Sequence, residues 1–206
     1  MDVMKERRTR LSAADWTAAA LQVLAEGGLA AVAVEPLAAR LGATKGSFYW
    51  HFKDRLELIE AALAQWEQRG TEDVIAAADA ETDAVTRLRE LLRLVLGGVE
   101  RQPAVGGVEL SLQATANHPL VAPVLARVTR RRLGYLTRLF SELGFAPAEA
   151  SRRGLLAYTA YLGHAQLAHA TSELVPTGDG LDAYIEDVVQ TLLCDRRTCT
   201  EDVPGK

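Results

Sequence analysis

The stretch from residue 42 to residue 53 reads GATKGSFYWHFK and gathers aromatic side chains in a chain that is otherwise poor in them. Phe, Trp and Tyr make up only 6% of the residues, yet positions 48 to 52 read FYWHF. Phe48 and Phe52 are four residues apart, so on a helix they share one face. The pattern predicts a very short helix that is anchored by these two rings and carries its polar residues on the outer side.

Helix signals surround this stretch. Ser12 and Asp15 fit a capping box, which predicts a first helix that runs to about residue 26 and stops at the two glycines that follow. A second helix is predicted at about 34–41, and a third, capped by Thr44, runs through about residue 51. Two short helices joined by a tight turn, with another packed across them, form a helix-turn-helix motif at about 33–52.

The second helix of such a motif enters the DNA major groove with its N-terminus first. Hydroxyl groups there can bond to several base edges, a lysine can reach guanine acceptors, and a glycine permits close backbone approach. The candidate base readers are Thr44, Lys45, Gly46 and Ser47. The candidate phosphate contacts are Tyr49, His51 and Lys53. The alternatives are a solvated Lys45, a half-buried surface Tyr49 and a purely structural His51.

Residues 12–66 resemble the N-terminal domain of the TetR family of transcriptional regulators. The resemblance is carried by VEPLAARLGATKGSFYWHFKDRLELIEAAL, with an apolar-Ala pair, a turn glycine, a small-polar run, then Tyr-x-x-Phe and a lysine. Ala33 departs from the family, which usually has a Thr or Ser cap on the second helix, and Pro36 is uncommon there. The resemblance implies a double-stranded DNA operator, a homodimer and a small-molecule effector. It also implies that the basic arm KERRTR at residues 5–10 reaches DNA; the alternative is a solubilising tail.

The charge is unevenly distributed along the chain. Residues 1–55 hold eight Lys or Arg and six Asp or Glu, a balance of +2, whereas the rest hold fifteen and twenty-one, a balance of −6. A slightly basic front on an acidic body is consistent with an anionic partner for the front end.

The rest of the chain reads as helix, which predicts an all-α fold. A fourth helix begins at Asp54 and joins residues 1–55, the DNA-binding domain, to residues 70–206, a helical domain for effector binding and dimerisation. Further helices are predicted at 82–101, 104–116, 118–143, 147–171 and 179–194. The last two are candidates for a four-helix bundle between two protomers; the alternative is that they only close the core of one protomer.

The effector pocket is expected between the helices of residues 82–171. Glu109 is the only charge between residues 102 and 126, and it could meet a cationic or hydrogen-bonding effector; the alternative is an exposed glutamate on a helix face. The candidate effector-binding residues are Glu109, Gln113, Asn117, His118, Tyr158 and Tyr161. The tyrosines could equally lie at the dimer interface. The arginine cluster at positions 127 and 130–132 spreads around its helix, which favours a solvated face.

Other function classes lack support. The chain has no GxSxG, HExxH or Walker motif, so we expect no enzyme, no catalytic residues and no cofactor apart from the effector. His164 and His169 are five apart, a poor spacing for metal ligands, and Cys194 and Cys199 read as incidental thiols. The N-terminus has no apolar signal segment, so we expect a cytoplasmic protein without membrane contact. The sequence therefore predicts a ligand-responsive DNA-binding repressor; the alternative is a helical ligand-binding or protein-interaction module that has lost DNA binding.

Overall fold

All regular secondary structure in the described part of the chain is helical, which confirms the all-α prediction. This computed structural model describes residues 11–101 and 103–194, apart from the side chains of residues 100–105. The helices of the first half are α1 (Ala13–Ala31), α2 (Val34–Arg40), α3 (Lys45–Tyr49), α4 (Arg55–Glu67), a π-helical turn (Gln68–Glu72) and α5 (Asp73–Asp79). They are followed by α6 (Ala84–Arg101), α7 (Pro103–Ala114), α8 (Ala122–Glu142), α9 (Pro147–Ala170), a 3-10 turn (Ser172–Leu174) and α10 (Gly178–Leu193).

Helix α1 begins as predicted, and its helical geometry breaks at the predicted stop. The Ser12 hydroxyl accepts a hydrogen bond from the Asp15 amide at 3.4 Å, and the Ser12 amide donates to the Asp15 carboxylate at 2.7 Å, so the capping box is confirmed. The chain kinks at Gly28, where φ is 72°, but then coils for another turn to Ala31. The predicted stop at the glycines is confirmed as a break in helical geometry at Gly28, whose positive φ favours glycine, and the short turn after it packs Leu29 into the core.

The predicted fourth helix does not end near residue 69. It continues through the π-helical turn into α5, and the Asp73 amide donates to the Gln68 carbonyl, five residues back. Turns of this kind are rare and are frequent at functional sites. The turn lies between the N-terminal helices and the rest of the molecule, so it occupies the connection that the sequence assigns to the joining helix.

The prediction of nearly contiguous helices at 104–116 and 118–143 is also wrong. Helix α7 ends at Ala114, and α8 starts only at Ala122. The intervening turn contains Pro119, which lacks a backbone donor and disfavours helical geometry in the residue before it. His118 stabilises the turn through its Nδ1, which accepts a hydrogen bond from the Leu120 amide at 3.2 Å.

Two apolar clusters hold the described helices together. The first surrounds Trp16 and Phe48, and it also includes residues of α7 and α8 between Val108 and Val128. The second lies among α5, α6, α8, α9 and α10. Helices α8 and α9 cross at Gly154, where an added Cβ would lie 3.2 Å from the Leu136 Cβ. The first cluster therefore links α1–α4, which we call the head, to helices of the second half, which we call the body.

Candidate nucleic-acid interface and adjoining cavities

The turn between α2 and α3 has the geometry that a helix-turn-helix requires. Gly42 takes a φ of 60°, a left-handed conformation that a glycine adopts at little cost. The Ala43 amide donates to the Ala38 carbonyl at 2.8 Å and closes the turn. Thr44 then caps α3, because its hydroxyl accepts a hydrogen bond from the Ser47 amide at 3.2 Å. The predicted cap is confirmed, and α3 is a short helix with a capped N-terminus.

Helix α3 is anchored by the aromatic residues that the sequence singles out. Phe48 is fully buried, and its ring meets Trp16 of α1 edge-on at a centroid distance of 5.4 Å. Phe52 stacks on Phe48 at 5.6 Å and is also buried. The predicted apolar anchor is thus confirmed, and it is completed by Trp16 from a different helix. A helix of five residues has little stability of its own, so this packing determines its position.

The polar residues of the stretch lie together at an accessible surface. Thr44, Lys45, Gly46, Tyr49 and Lys53 are exposed, whereas Ser47 and His51 are half-buried. Between them, Trp50 is 79% exposed, an unusual fraction for a tryptophan. The surface of α3 and its flanking turns therefore offers hydroxyl, ammonium, imidazole and aromatic groups side by side.

Lys45 has an ion-pair partner that the sequence does not predict. Its Nζ lies 2.7 Å from an Oε1 of Glu35, which stands in the first turn of α2. The hydrogen bond between them raises the pKa of Lys45 and lowers the pKa of Glu35. Both side chains are more than half exposed, so the pair can exchange partners in solvent. Spacing alone could not reveal it, because ten residues and a turn separate the two positions.

Two arginines fix the head from outside its core. Arg55, at the start of α4, donates through Nη2 to the Leu29 carbonyl at 2.6 Å and through Nε to the Val32 carbonyl. Arg40 of α2 makes two 2.7 Å hydrogen bonds to the Glu26 carboxylate of α1. Ala33 provides no side-chain cap for α2, because its methyl group cannot accept a hydrogen bond. These side-chain contacts therefore help to hold α2 and α4 against α1.

Behind the head lie two adjoining cavities. The inner chamber has a volume of about 50 Å³ and the outer cleft about 600 Å³. Gly70, Val74, Val95, Arg132 and Tyr161 line both. The inner chamber is further lined by Thr71, Ile75, Leu91, Leu92, Tyr135, Leu136, Ala157 and Tyr158. The outer cleft reaches α1 at Ala18, Leu21 and Gln22.

Arg132 stands between the cavities and is held on several sides. Its Nη1 donates to the Glu109 carboxylate at 2.8 Å, its Nε to the Thr71 hydroxyl at 3.0 Å, and its Nη2 to the Gly70 carbonyl at 3.2 Å. The guanidinium carbon lies 5.3 Å from the ring centroid of Trp66. Burial, the largest single influence, acts to lower the pKa of Arg132, but the charge and hydrogen bond of Glu109 together with Tyr161 and Tyr158 outweigh it, so the pKa is raised. Arg132 therefore remains charged and ties the π-helical turn to α7.

This ion pair corrects two expectations. Glu109 is only 1% exposed, so the interpretation as an exposed glutamate on a helix face is wrong. The Arg132 side chain is 11% exposed, so a solvated face is the wrong interpretation for it as well. Its neighbours Arg127 and Arg131 form ion pairs with Glu67 and Glu72 at 2.5 and 2.9 Å. The cause in each case is a partner on another helix, which a one-helix pattern does not show.

The remaining candidate effector residues separate into two groups. Tyr158 and Tyr161 line the inner chamber, and burial, the largest influence, raises the pKa of the Tyr161 hydroxyl. Gln113 is exposed and donates to the Glu109 carboxylate at 3.2 Å. Asn117 and His118 are exposed in the turn between α7 and α8 and do not line either cavity. The chain departs from helix geometry before Pro119, which removes both residues from the face that carries Glu109.

The remaining predictions concern the N-terminal arm, the cysteines, metal binding and the membrane. The basic arm at residues 5–10 lies outside the described residues. Cys194 is disulfide-bonded, so the interpretation as an incidental thiol is wrong for it. Within the described residues, no group of His, Cys, Asp and Glu side chains is arranged to hold a metal ion. None of the helices among these residues is both long and apolar enough to span a membrane.

The fold and the exposed short helix define a helix-turn-helix protein with a helical body. Residues 17–62 match the family model described as bacterial regulatory proteins, tetR family. The HTH-type transcriptional regulator SrpR of Pseudomonas putida is 39% identical over 46 residues, which are 22% of this chain and 22% of that protein. The uncharacterized HTH-type transcriptional regulator TtgW, also of Pseudomonas putida, is 39% identical over 46 residues, which are 22% of this chain and 34% of that protein. The match thus spans about a fifth to a third of these curated relatives.

Solved structures extend the similarity to the whole chain. A transcriptional regulator from Rhodococcus sp. RHA1 has a TM-score of 0.74 at 21% identity and covers 94% of this chain and all of its own. The regulator FadR from Bacillus subtilis, solved in complex with stearoyl-CoA, has a TM-score of 0.70 at 14% identity and covers 88% of this chain and 98% of its own. At these identities the likeness concerns the fold. The family-model match covers the head, residues 17–62, and the solved structures show that most of the chain shares the fold of known transcriptional regulators.

Proposed function

We propose that this chain binds a near-palindromic operator as a homodimer and acts as a repressor that a small molecule releases from DNA. The observation that carries the proposal is the short helix α3, which is anchored by buried Phe48 and presents an unbroken set of polar and aromatic groups at its surface. In this proposal residues 1–55 form the DNA-binding domain, the helix from 54 to 69 connects, and residues 70–206 form the effector-binding and dimerisation domain.

The residues of α3 and its flanks take two roles. Lys45 and Ser47 reach base edges in the major groove, Gly46 permits close approach, and Thr44 mainly fixes the helix start through its cap. Tyr49, His51 and Lys53 contact phosphates and set the register. Lys45 must exchange Glu35 for an acceptor on DNA, so the ion pair disfavours sites that offer Lys45 no acceptor.

Dimerisation is proposed to use the outer face of α9 together with α10. Leu155, Leu156 and Leu167 are each exposed by about half, although they are large and apolar. Leu155, Thr159, Gly163 and Leu167 are exposed and follow one another at four-residue spacing, so they form one face along α9 with leucines at its two ends. An exposed face that carries several large apolar side chains is typical of an interaction site. We expect Leu156→Glu to give a monomer in light scattering, and Leu56→Glu on α4 to leave the dimer intact.

The cavities behind the head support a ligand response. The outer cleft lies between the head and the body, the inner chamber adjoins it on the side of the body, and Arg132 connects both to the π-helical turn of the joining segment. The structurally similar FadR was solved with stearoyl-CoA, which shows that this fold can accommodate a small organic ligand. A ligand that fits one arrangement of the head better than the other shifts the population toward it. The two heads of the dimer then no longer match two successive major grooves.

The test is selection of binding sequences from a random pool of DNA duplexes, followed by titration of the selected duplex at several salt concentrations. We expect a near-palindromic sequence, a steep dependence of affinity on salt, and weaker or less selective binding by Lys45→Ala. Arg130→Ala, which removes an exposed cation of α8, is the matched control and should bind like the wild type. If folded, dimeric protein enriches no sequence, the proposal fails in favour of a helical module without DNA binding.

A further inference from the structure

The inner chamber is apolar and electrically balanced. Its aliphatic lining comes from α5, α6 and α8, and Arg132 is the one charged side chain among the described residues that line it. That charge is matched by Glu109, at 2.8 Å. A ligand carboxylate would lose its hydration and would find the Arg132 charge already paired with Glu109, whereas a ligand ammonium would face the Arg132 guanidinium. Burying a charge without its own partner is costly, so the site disfavours ions of either sign.

The same chamber retains unused hydrogen-bonding capacity. The Tyr158 hydroxyl is buried and has no hydrogen-bond partner among the described residues. Arg132 has five N–H donors, of which Glu109, Thr71 and Gly70 take three in the hydrogen bonds described above. A buried polar group without a partner is uncommon in proteins. An oxygen atom on a ligand would supply the missing partner without bringing a charge.

We infer that the inner chamber and outer cleft bind an uncharged, largely apolar organic molecule that carries a hydroxyl or carbonyl oxygen. The inference rests on the proposed ligand-responsive function and specifies the class of its ligand. A volume of about 50 Å³ holds only a small end group in the inner chamber, on the order of three or four water-sized units. The remainder of the molecule occupies the outer cleft, which is about twelve times larger by the same measure.

Such a molecule contacts both parts of the protein that must move relative to each other. The outer cleft is lined by Leu21 and Gln22 of α1, in the head, and by Leu94 of α6, in the body. Arg132 carries any displacement to the π-helical turn, because it donates to the Gly70 carbonyl and the Thr71 hydroxyl. Occupancy is therefore coupled directly to the position of the head.

The test compares three probes that share an eight-carbon chain and differ only in their polar group: 1-octanol, octanoate and octylamine. Binding to the full-length protein is measured by calorimetry at pH 7, and release of the selected operator is measured in parallel. We expect 1-octanol to bind at least about tenfold more tightly than either ion, because each ion must lose its hydration in a neutral site. Only 1-octanol should release the operator.

Two variants locate the interaction. Tyr158→Phe should lower the affinity for 1-octanol several-fold. Tyr184→Phe, which changes a residue outside both cavities, should leave that affinity unchanged. Glu109→Gln should shift the preference toward octanoate, and Glu67→Gln, which breaks a more exposed ion pair, should not. If Glu109→Gln does not fold, the affinities of the three probes for the wild type and the effect of Tyr158→Phe still test the inference.

Two results would overturn the inference: equal or tighter binding of octanoate or octylamine by the wild type, or no binding of any of the three probes by protein that binds its operator. Failure of the wild type to bind any operator would instead overturn the proposed function, and the calorimetric comparison of the three probes would remain a separate result.

Discussion

We expect Glu109→Gln to lower the free energy of unfolding substantially, because it leaves Arg132 charged and buried without its anionic partner. The substitution keeps the size and shape of the side chain, so it creates no cavity. Glu109 is 1% exposed and the Arg132 side chain 11%, so solvent cannot compensate for the lost carboxylate. The change therefore isolates the contribution of the negative charge on the Glu109 carboxylate.

The magnitude follows from the environment of the pair. Removal of one partner of a buried ion pair typically costs about 3–5 kcal/mol. Arg132 retains its hydrogen bonds to Thr71 and Gly70, and a glutamine oxygen can still accept one from it, so we expect the lower end, about 3 kcal/mol. Replacing both partners together, as Glu109→Leu with Arg132→Met, should restore stability to within about 1 kcal/mol of the wild type.

The assay is urea unfolding followed by far-UV circular dichroism, at one fixed protein concentration because the proposed dimer would make stability depend on concentration. Glu109→Leu, Arg132→Met and the double variant form a cycle that gives the coupling energy of the pair. Glu67→Gln is the control, since Glu67 pairs with an Arg127 side chain that is 54% exposed, and it should cost less than about 1 kcal/mol. If Glu109→Gln is as stable as this control at an unchanged m-value, the assignment of a buried, structurally required pair is refuted.

Three further predictions concern the head and the crossing of α8 with α9. Phe48→Ala should cost about 3–5 kcal/mol in urea unfolding, because Phe48 is fully buried against Trp16, and a cost below about 1 kcal/mol would contradict its anchoring role. Removing the charge that competes for Lys45, with Glu35→Gln, should tighten operator binding roughly two- to fivefold in a fluorescence titration; weaker binding would show that the ion pair orients Lys45 for DNA. Gly154→Ala should destabilise by about 1–3 kcal/mol because its Cβ would lie 3.3 Å from the Thr137 amide nitrogen. The matched Gly134→Ala, with nothing within 4 Å, should stabilise by about 0.5–1 kcal/mol, and equal thermal shifts for the two would exclude close packing as the cause.

Local signals carried most of what the sequence predicts correctly. The capping box at Ser12, the cap at Thr44 and the spacing of Phe48 and Phe52 each depend on residues within four positions of one another. Such interactions form largely independently of the rest of the chain, so their patterns can be read directly. The same reasoning explains why the helical class is correct throughout the described residues.

The errors arise where a distant residue decides the outcome. Glu109 reads as exposed because its own helix offers no cationic partner, yet Arg132 approaches from α8, 23 residues later. Glu35 and Lys45 pair across the turn of the motif, and Arg55 reaches back to the end of α1. A useful signal was present in one case: Glu109 is the only charge in a long apolar stretch, which is the pattern of a buried ionic group with a partner elsewhere.

The continuity of the first apolar cluster has a consequence for how such regulators can be recombined. Val108 and Leu112 of α7, with Leu125 of α8 and Val121 just before it, pack into the same cluster as Trp16 and Phe48. A chimera that joins this head to the body of a relative at α4 would therefore place unmatched side chains on both sides of a shared core. If α3 reads DNA as proposed, new specificity is acquired more easily at its outward positions, which leave that core untouched, than by exchange of the whole head.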